Sequence, residues 1–204
     1  MKKILCFGDS NTFGYNPKNG LRYSGDIRWT GILQKECSDS YTVIEAGCNN
    51  RTCFRYNPQG EFYTGNMILP KYLEDKPDVV VLALGSNDLQ RQYRTSLLEL
   101  EYGIETLVKI TQKYSPEAKI VILAPSPIGD EVLVAKIFAF LFDEVSIQKS
   151  KELPLIYQRV AKKLNCYFVD LSLFAKVSQI DGLHYEEDAH ILIAKNLYSL
   201  INSF

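Results

Sequence analysis

Five short apolar runs alternate with longer amphipathic stretches, and this alternation constrains the fold more than any other feature of the chain. The runs are Lys3–Phe7 (KILCF), Tyr41–Ala46 (YTVIEA), Asp78–Leu84 (DVVVLAL), Lys119–Ala124 (KIVILA) and Cys166–Val169 (CYFV). Three are almost purely apolar, as parallel strands are when helices cover both faces of their sheet. Helical patterns fill the gaps at Ile27–Cys37, Phe62–Glu74, Leu97–Tyr114, Val132–Gln148, Pro154–Leu164 and Glu187–Ile201. Asp75-Lys76-Pro77 and Ser115-Pro116 break helical patterns just before strands. The alternation predicts one α/β domain over residues 1–204, a three-layer α/β/α stack around a five-stranded parallel sheet.

A flavodoxin-like strand order, 2-1-3-4-5, is the expected topology for five such strands. In sheets of this kind ligands bind beyond the carboxyl ends of the strands. The residues that follow each strand are therefore expected to converge. Gly8-Asp9-Ser10-Asn11 follows the first, Gly47-Cys48-Asn49-Asn50-Arg51 the second and Gly85-Ser86-Asn87-Asp88 the third. Asp181-Gly182-Leu183-His184 comes a short connection after the fifth. Together these loops offer a hydroxyl, an amide, a carboxylate and an imidazole, the parts of an acyl-transfer site.

A serine hydroxyl needs an adjacent base, and the chain has two histidines. His184 lies at i+3 from Asp181, close enough on a turn for the carboxylate to hold Nδ1–H and leave Nε2 for Ser10. His190 falls in the last helical pattern and reads as a surface or helix-packing residue. A tetrahedral oxyanion needs preorganised donors, commonly worth about 3 kcal/mol each in the transition state. The Asn87 side chain and the Ser10 backbone N–H are two candidates. Gly47 and Asn50 compete for a third.

These blocks resemble those of the SGNH/GDSL hydrolases. GDSNTFG matches the first block, LGSNDLQ the third (GxND) and DGLH the last (DxxH), in the right order across nearly the whole chain. RWTGIL, IEAGCNNRT and LGSND resemble the arylesterase and acyltransferase branch of that superfamily. The resemblance implies a flavodoxin-like fold, no metal or other cofactor, and Ser10, Asp181 and His184 as nucleophile, orienter and base. It also implies Ser10, Asn50 and Asn87 as oxyanion donors, because the glycine of the second block aligns just before Arg51. Gly47 is the alternative to Asn50. Asn11 stands where the GDSL name has leucine.

The expected function is serine-dependent hydrolysis of short-chain, acetyl-type carboxylic esters, with acyl transfer to an alcohol as the alternative. A phosphate- or nucleotide-binding module is disfavoured, since neither G-x-x-x-x-G-K-[ST] nor G-x-G-x-x-G occurs. Nucleic acid is not an expected partner, because 23 basic and 24 acidic residues leave no basic field. Nor is a membrane: the most apolar stretch, Val132–Phe142, is too short to span one and contains Lys136. The apolar run Ile4–Phe7 is too short for a signal peptide, so a soluble, cytoplasmic protein is expected. Five cysteines, an odd number with no CxxC pair, fit reduced thiols.

Asn11, Trp29, Phe54 and Tyr93 are expected to shape the substrate pocket. Arg51 and Arg55 are expected to pair with acidic neighbours. Val132–Phe142, read as a helix apolar around most of its surface, is expected to pack against another subunit or to cover the site's mouth. The resemblance favours the first, a homo-oligomer.

Overall fold

The computed structural model describes residues 1–204. Five parallel strands form one sheet in the order β2-β1-β3-β4-β5. They are β1 (Lys2–Gly8), β2 (Tyr41–Gly47), β3 (Val79–Ala83), β4 (Lys119–Ala124) and β5 (Tyr167–Asp170). The helices are α1 (Ser10–Phe13), α2 (Trp29–Glu36), α3 (Gly65–Leu73), α4 (Leu97–Tyr114), α5 (Glu144–Ser150), α6 (Leu153–Lys163) and α7 (Glu187–Ile201).

Strand side chains alternate between faces, and the core divides accordingly. Leu5, Phe7, Val80, Leu82, Ile120 and Ile122 pack against α3, α4 and α6. Ile4, Cys6, Val79, Val81, Val121 and Leu123 pack against α2 and α7. Both faces are thus covered, which is why these strands are apolar at nearly every position.

Local signals set the helix ends. Ser96 and Glu99 form a reciprocal capping box at the start of α4. Leu153-Pro154 opens α6, where proline's missing N–H costs no intrahelical bond. The helical pattern over Val132–Gln148 is not realised as one helix. A 3-10 turn at Asp130–Leu133 leads into a run of turns, and α5 begins only at Glu144. Asp143 caps it by accepting from Ser146 N–H at 2.8 Å.

The segment 132–142 lies over the carboxyl edge of the sheet. Val132 and Phe142 are buried, whereas Val134, Ile137 and Phe140 are exposed. Its abundance of apolar residues belongs to a cover with two faces rather than to a buried helix. No helix is long and apolar enough to cross a membrane, and all five cysteines are free thiols.

Candidate active site

Beyond the carboxyl ends of β1, β2 and β3, the loops enclose a cavity of about 220 Å³. Ser10 stands on its wall as the first residue of α1. Asp9 caps that helix by accepting from Asn11 N–H at 2.9 Å. Burial pushes the Asp9 carboxyl up to about 7, against the opposing effects of the Asn11 N–H and of Arg51. Gly14 closes the short helix at φ 86°. Ser10 N–H belongs to a first helical turn, whose N–H groups have no intrahelical acceptor.

His184 Nε2 lies 2.9 Å from Ser10 Oγ, and its Nδ1 lies 2.7 Å from Asp181 Oδ2. The other Asp181 oxygen, Oδ1, accepts from Leu183 N–H at 2.9 Å and His184 N–H at 3.0 Å. One carboxylate therefore both builds the turn and orients the ring. Gly182 adopts φ 66° there, and a Cβ on it would come within 2.6 Å of the Gly129 carbonyl oxygen, so the turn requires glycine. Burial raises the Asp181 pKa, but the hydrogen bond and charge of His184, with the two backbone N–H groups, bring it below the usual value. Tyr15 covers one side of the imidazole with ring centroids 4.2 Å apart, and Phe138 approaches at 5.3 Å.

Across the cavity stand Asn50 and Asn87. Asn50 takes the left-handed conformation, φ 62°, which asparagine tolerates better than most residues. Its carbonyl oxygen accepts from Asn57 Nδ2 at 2.7 Å. Asn87 donates from Nδ2 to the Arg51 carbonyl at 3.1 Å and lies on the short 3-10 turn Ser86–Leu89. Gly47 does not line the cavity. It ends β2 against α1, where a Cβ would come 2.1 Å from Phe13 N. Its glycine answers to backbone packing rather than to a ligand.

Asp88 ties the second and third loops together by accepting from the backbone N–H groups of Cys53, Phe54 and Arg55 at 2.5, 3.1 and 3.2 Å. Burial pushes its carboxyl up to about 6, with those three N–H groups opposing the rise.

The pocket residues read from the sequence are corrected by the structure. Asn11, Trp29, Phe54 and Tyr93 do not line this cavity. Asn11 supports it from behind, donating to the Leu183 carbonyl at 3.1 Å and accepting from Tyr185 N–H at 3.2 Å. Trp29 is buried and donates from its indole to the Asn11 carbonyl at 3.1 Å. Phe54 packs beside Gly103 of α4, and Tyr93 continues the turn after Gln90.

The apolar wall is instead Tyr15, Ile137, Phe138, Leu141, Phe142 and Leu183; the polar wall adds Asn49, Gln59 and Gln90. Phe138 and Leu141 therefore face this cavity. Sequence reasoning missed these residues because loop side-chain directions carry no period. The only available signal was the excess of apolar residues over 132–142.

Arg51 is likewise corrected. It is fully buried and forms no ion pair, although its charge acts on Asp9, and it donates to the carbonyls of Ala46, Gly8 and Phe62 while its guanidinium lies 4.7 Å from the Phe7 ring centroid. Arg55 does pair with Glu99, at 2.6 Å. His190 is buried, its Nδ1 accepting from Trp29 N–H at 3.3 Å, and burial brings its pKa down to about 4.

Chemically, the arrangement sets a hydroxyl against an imidazole and places two asparagines across a small cavity from it. Known proteins share this fold. The chain is 29% identical to an aryl esterase from M. smegmatis, covering 100% of this chain and 99% of that one with a TM-score of 0.91. It is 26% identical to a carbohydrate acetylesterase from Sinorhizobium meliloti, covering 100% and 99% with a TM-score of 0.92. An acetylxylan esterase from Xylanibacter ruminicola is 27% identical over 199 residues, 91% of this chain. The chain spans only 40% of the length of that relative. The model of the GDSL-like lipase/acylhydrolase family matches residues 6–191, which contain both Ser10 and His184, and the chain belongs to that family.

Proposed function

We propose that the chain is a serine-dependent carboxylester hydrolase acting on short, acetyl-type acyl esters through an acyl-enzyme on Ser10. The observation that carries this reading is the continuous relay from Asp181 through His184 to Ser10, at 2.7 and 2.9 Å, on the wall of a cavity. His184 Nε2 takes the Ser10 proton as Oγ attacks the ester carbonyl. Asn87 Nδ2 and the backbone N–H groups of Ser10 and Asn50 then hold the oxyanion. Collapse expels the alcohol, which receives the proton from His184. Water repeats the sequence on the acyl-enzyme and releases the acid.

A cavity of about 220 Å³ favours a small acyl group. Its polar side, with Asn49, Asn50 and Gln59, suits a hydroxyl-bearing alcohol such as a sugar. The relatives named for acetylated carbohydrates support that class. A screen of esters by acyl length, with acetylated sugars included, tests the reading. Activity is expected to be highest for acetyl to butyryl esters and to fall for longer chains. Equal rates on long-chain esters would overturn the acyl-size assignment.

The apolar wall from Ile137 to Phe142 favours a second outcome for the same acyl-enzyme. Where water is excluded, an added alcohol competes for the acyl group. Product analysis in aqueous alcohol measures the partition.

Asn87→Ala is expected to lower kcat by about a hundredfold to a thousandfold with little change in KM. The loss arises because the amide's main interaction is made in the transition state. A change in KM alone would place Asn87 in ground-state binding instead.

A further inference from the structure

Gln90 borders the cavity between the two asparagines and is 2% exposed. Its Nε2 lies 2.8 Å from Asn50 Oδ1 and 3.2 Å from Asn87 Oδ1. A carboxamide nitrogen carries two hydrogens, so one serves each acceptor. The amide's oxygen accepts from Gln92 Nε2 at 3.1 Å. Both N–H groups of this amide and one of the two acceptor sites on its oxygen are therefore occupied.

The orientation of the network is set by a group that cannot reverse. The Arg51 carbonyl only accepts, so Asn87 must turn Nδ2 toward it at 3.1 Å. That leaves Asn87 Oδ1 facing Gln90, which must donate. Asn50 obeys the same sense, giving Nδ2 to Gln59 Oε1 at 2.6 Å and accepting from Gln90 at Oδ1. Gln90 is thus a shared donor to both residues that face Ser10 across the cavity. Neither asparagine can invert its amide without opposing like groups.

We propose that Gln90 is a positioning residue for the oxyanion, holding Asn87 Nδ2 and the Asn50 backbone in register through a single carboxamide. This rests on the reading of the Ser10 site as an ester hydrolase. Gln90 acts through the two asparagines and not on the substrate's reacting atoms. Its effect therefore belongs to the transition state and to kcat.

Gln90→Glu and Gln90→Met separate positioning from packing. Glutamate keeps the shape but replaces the shared donor with an acceptor. Two carbonyl-type oxygens then face a carboxylate, and the Asn87 amide is driven to turn its NH2 away from the oxyanion. Methionine fills the space without that reversal.

Gln90→Glu is expected to lower kcat about thirtyfold to a hundredfold with KM within about threefold, and Gln90→Met about threefold to tenfold. The ratio of Gln90→Glu to wild-type kcat should recover in part as pH falls, because a protonated carboxyl again donates, to one of the two asparagines. A filler of space would show neither the ranking nor the recovery.

Wild-type kcat in Gln90→Glu, or losses ranked in the opposite order, would overturn the proposal. If the glutamate variant does not fold, Gln90→Met decides, and wild-type kcat in that variant is the overturning result. Ser10→Ala in the same assay keeps the two readings apart. Activity surviving without Ser10 sinks the hydrolase reading itself. Activity that depends on Ser10 but is indifferent to Gln90 sinks only the positioning role.

Discussion

Ser10→Ala is expected to abolish ester hydrolysis, lowering kcat by about five to six orders of magnitude while the protein remains folded. The size of the loss follows from removing the atom that forms the acyl-enzyme, after which only binding and oxyanion stabilisation remain. The fold is expected to tolerate the change. Ser10 Oγ is hydrogen-bonded only to His184, on a cavity wall where water can replace it. Its loss removes one hydrogen bond, worth about 1 kcal/mol net. The Asp9 cap and the Gly14 termination of α1 are untouched. Steady-state kinetics with a thermal melt checks both halves. Retention of more than about a hundredth of wild-type kcat would remove Ser10 from the nucleophile's role.

Asp181→Asn is expected to lower kcat by about ten-thousandfold. The reason is specific to this turn. Asp181 Oδ1 already accepts from two backbone N–H groups, so an asparagine must keep its oxygen there. Its NH2 then replaces Oδ2 against His184 Nδ1. A donor in that place forces Nδ1 to accept, which puts the proton on Nε2, facing Ser10. The base is then in the wrong tautomer. Inverting the asparagine would aim NH2 at the two backbone N–H groups and lose both bonds.

The pH profile gives a second readout. Wild-type kcat/KM is expected to rise with pH, because only a neutral imidazole accepts the Ser10 proton. Full activity with an unchanged profile would leave Asp181 as a turn former alone.

The chain's pattern was enough to place five strands, their parallel arrangement and most of the helices between them. α4 and α7 run over the residues their periodicity marks, Leu97–Tyr114 and Glu187–Ile201. A buried strand and an amphipathic helix each declare themselves through spacing within one segment. The carboxyl ends of parallel strands lie at one edge, so the loops holding Ser10, Asn87 and His184 were also legible as neighbours.

The 132–142 segment was not legible. Its apolar density fits a buried helix, a cover or an interface equally well, and only the tertiary structure places Ile137, Phe138, Leu141 and Phe142 on the wall of the Ser10 cavity. The choice between Gly47 and Asn50 was likewise open. It turns on the approach of α1 to the end of β2, between residues far apart in the chain. Arg51 read as a partner for an acid. Only the three-dimensional fold brings the carbonyls of Gly8, Ala46 and Phe62 around its guanidinium.

Sequence alone therefore determined the layers, the strand directions and the edge at which the reactive groups gather, because local periodicity and chain direction specify them. Tertiary structure alone decided which loop side chains face the cavity and how Gln90 joins Asn50 to Asn87. Those directions depend on hydrogen bonds between separate loops, which no single segment's pattern contains.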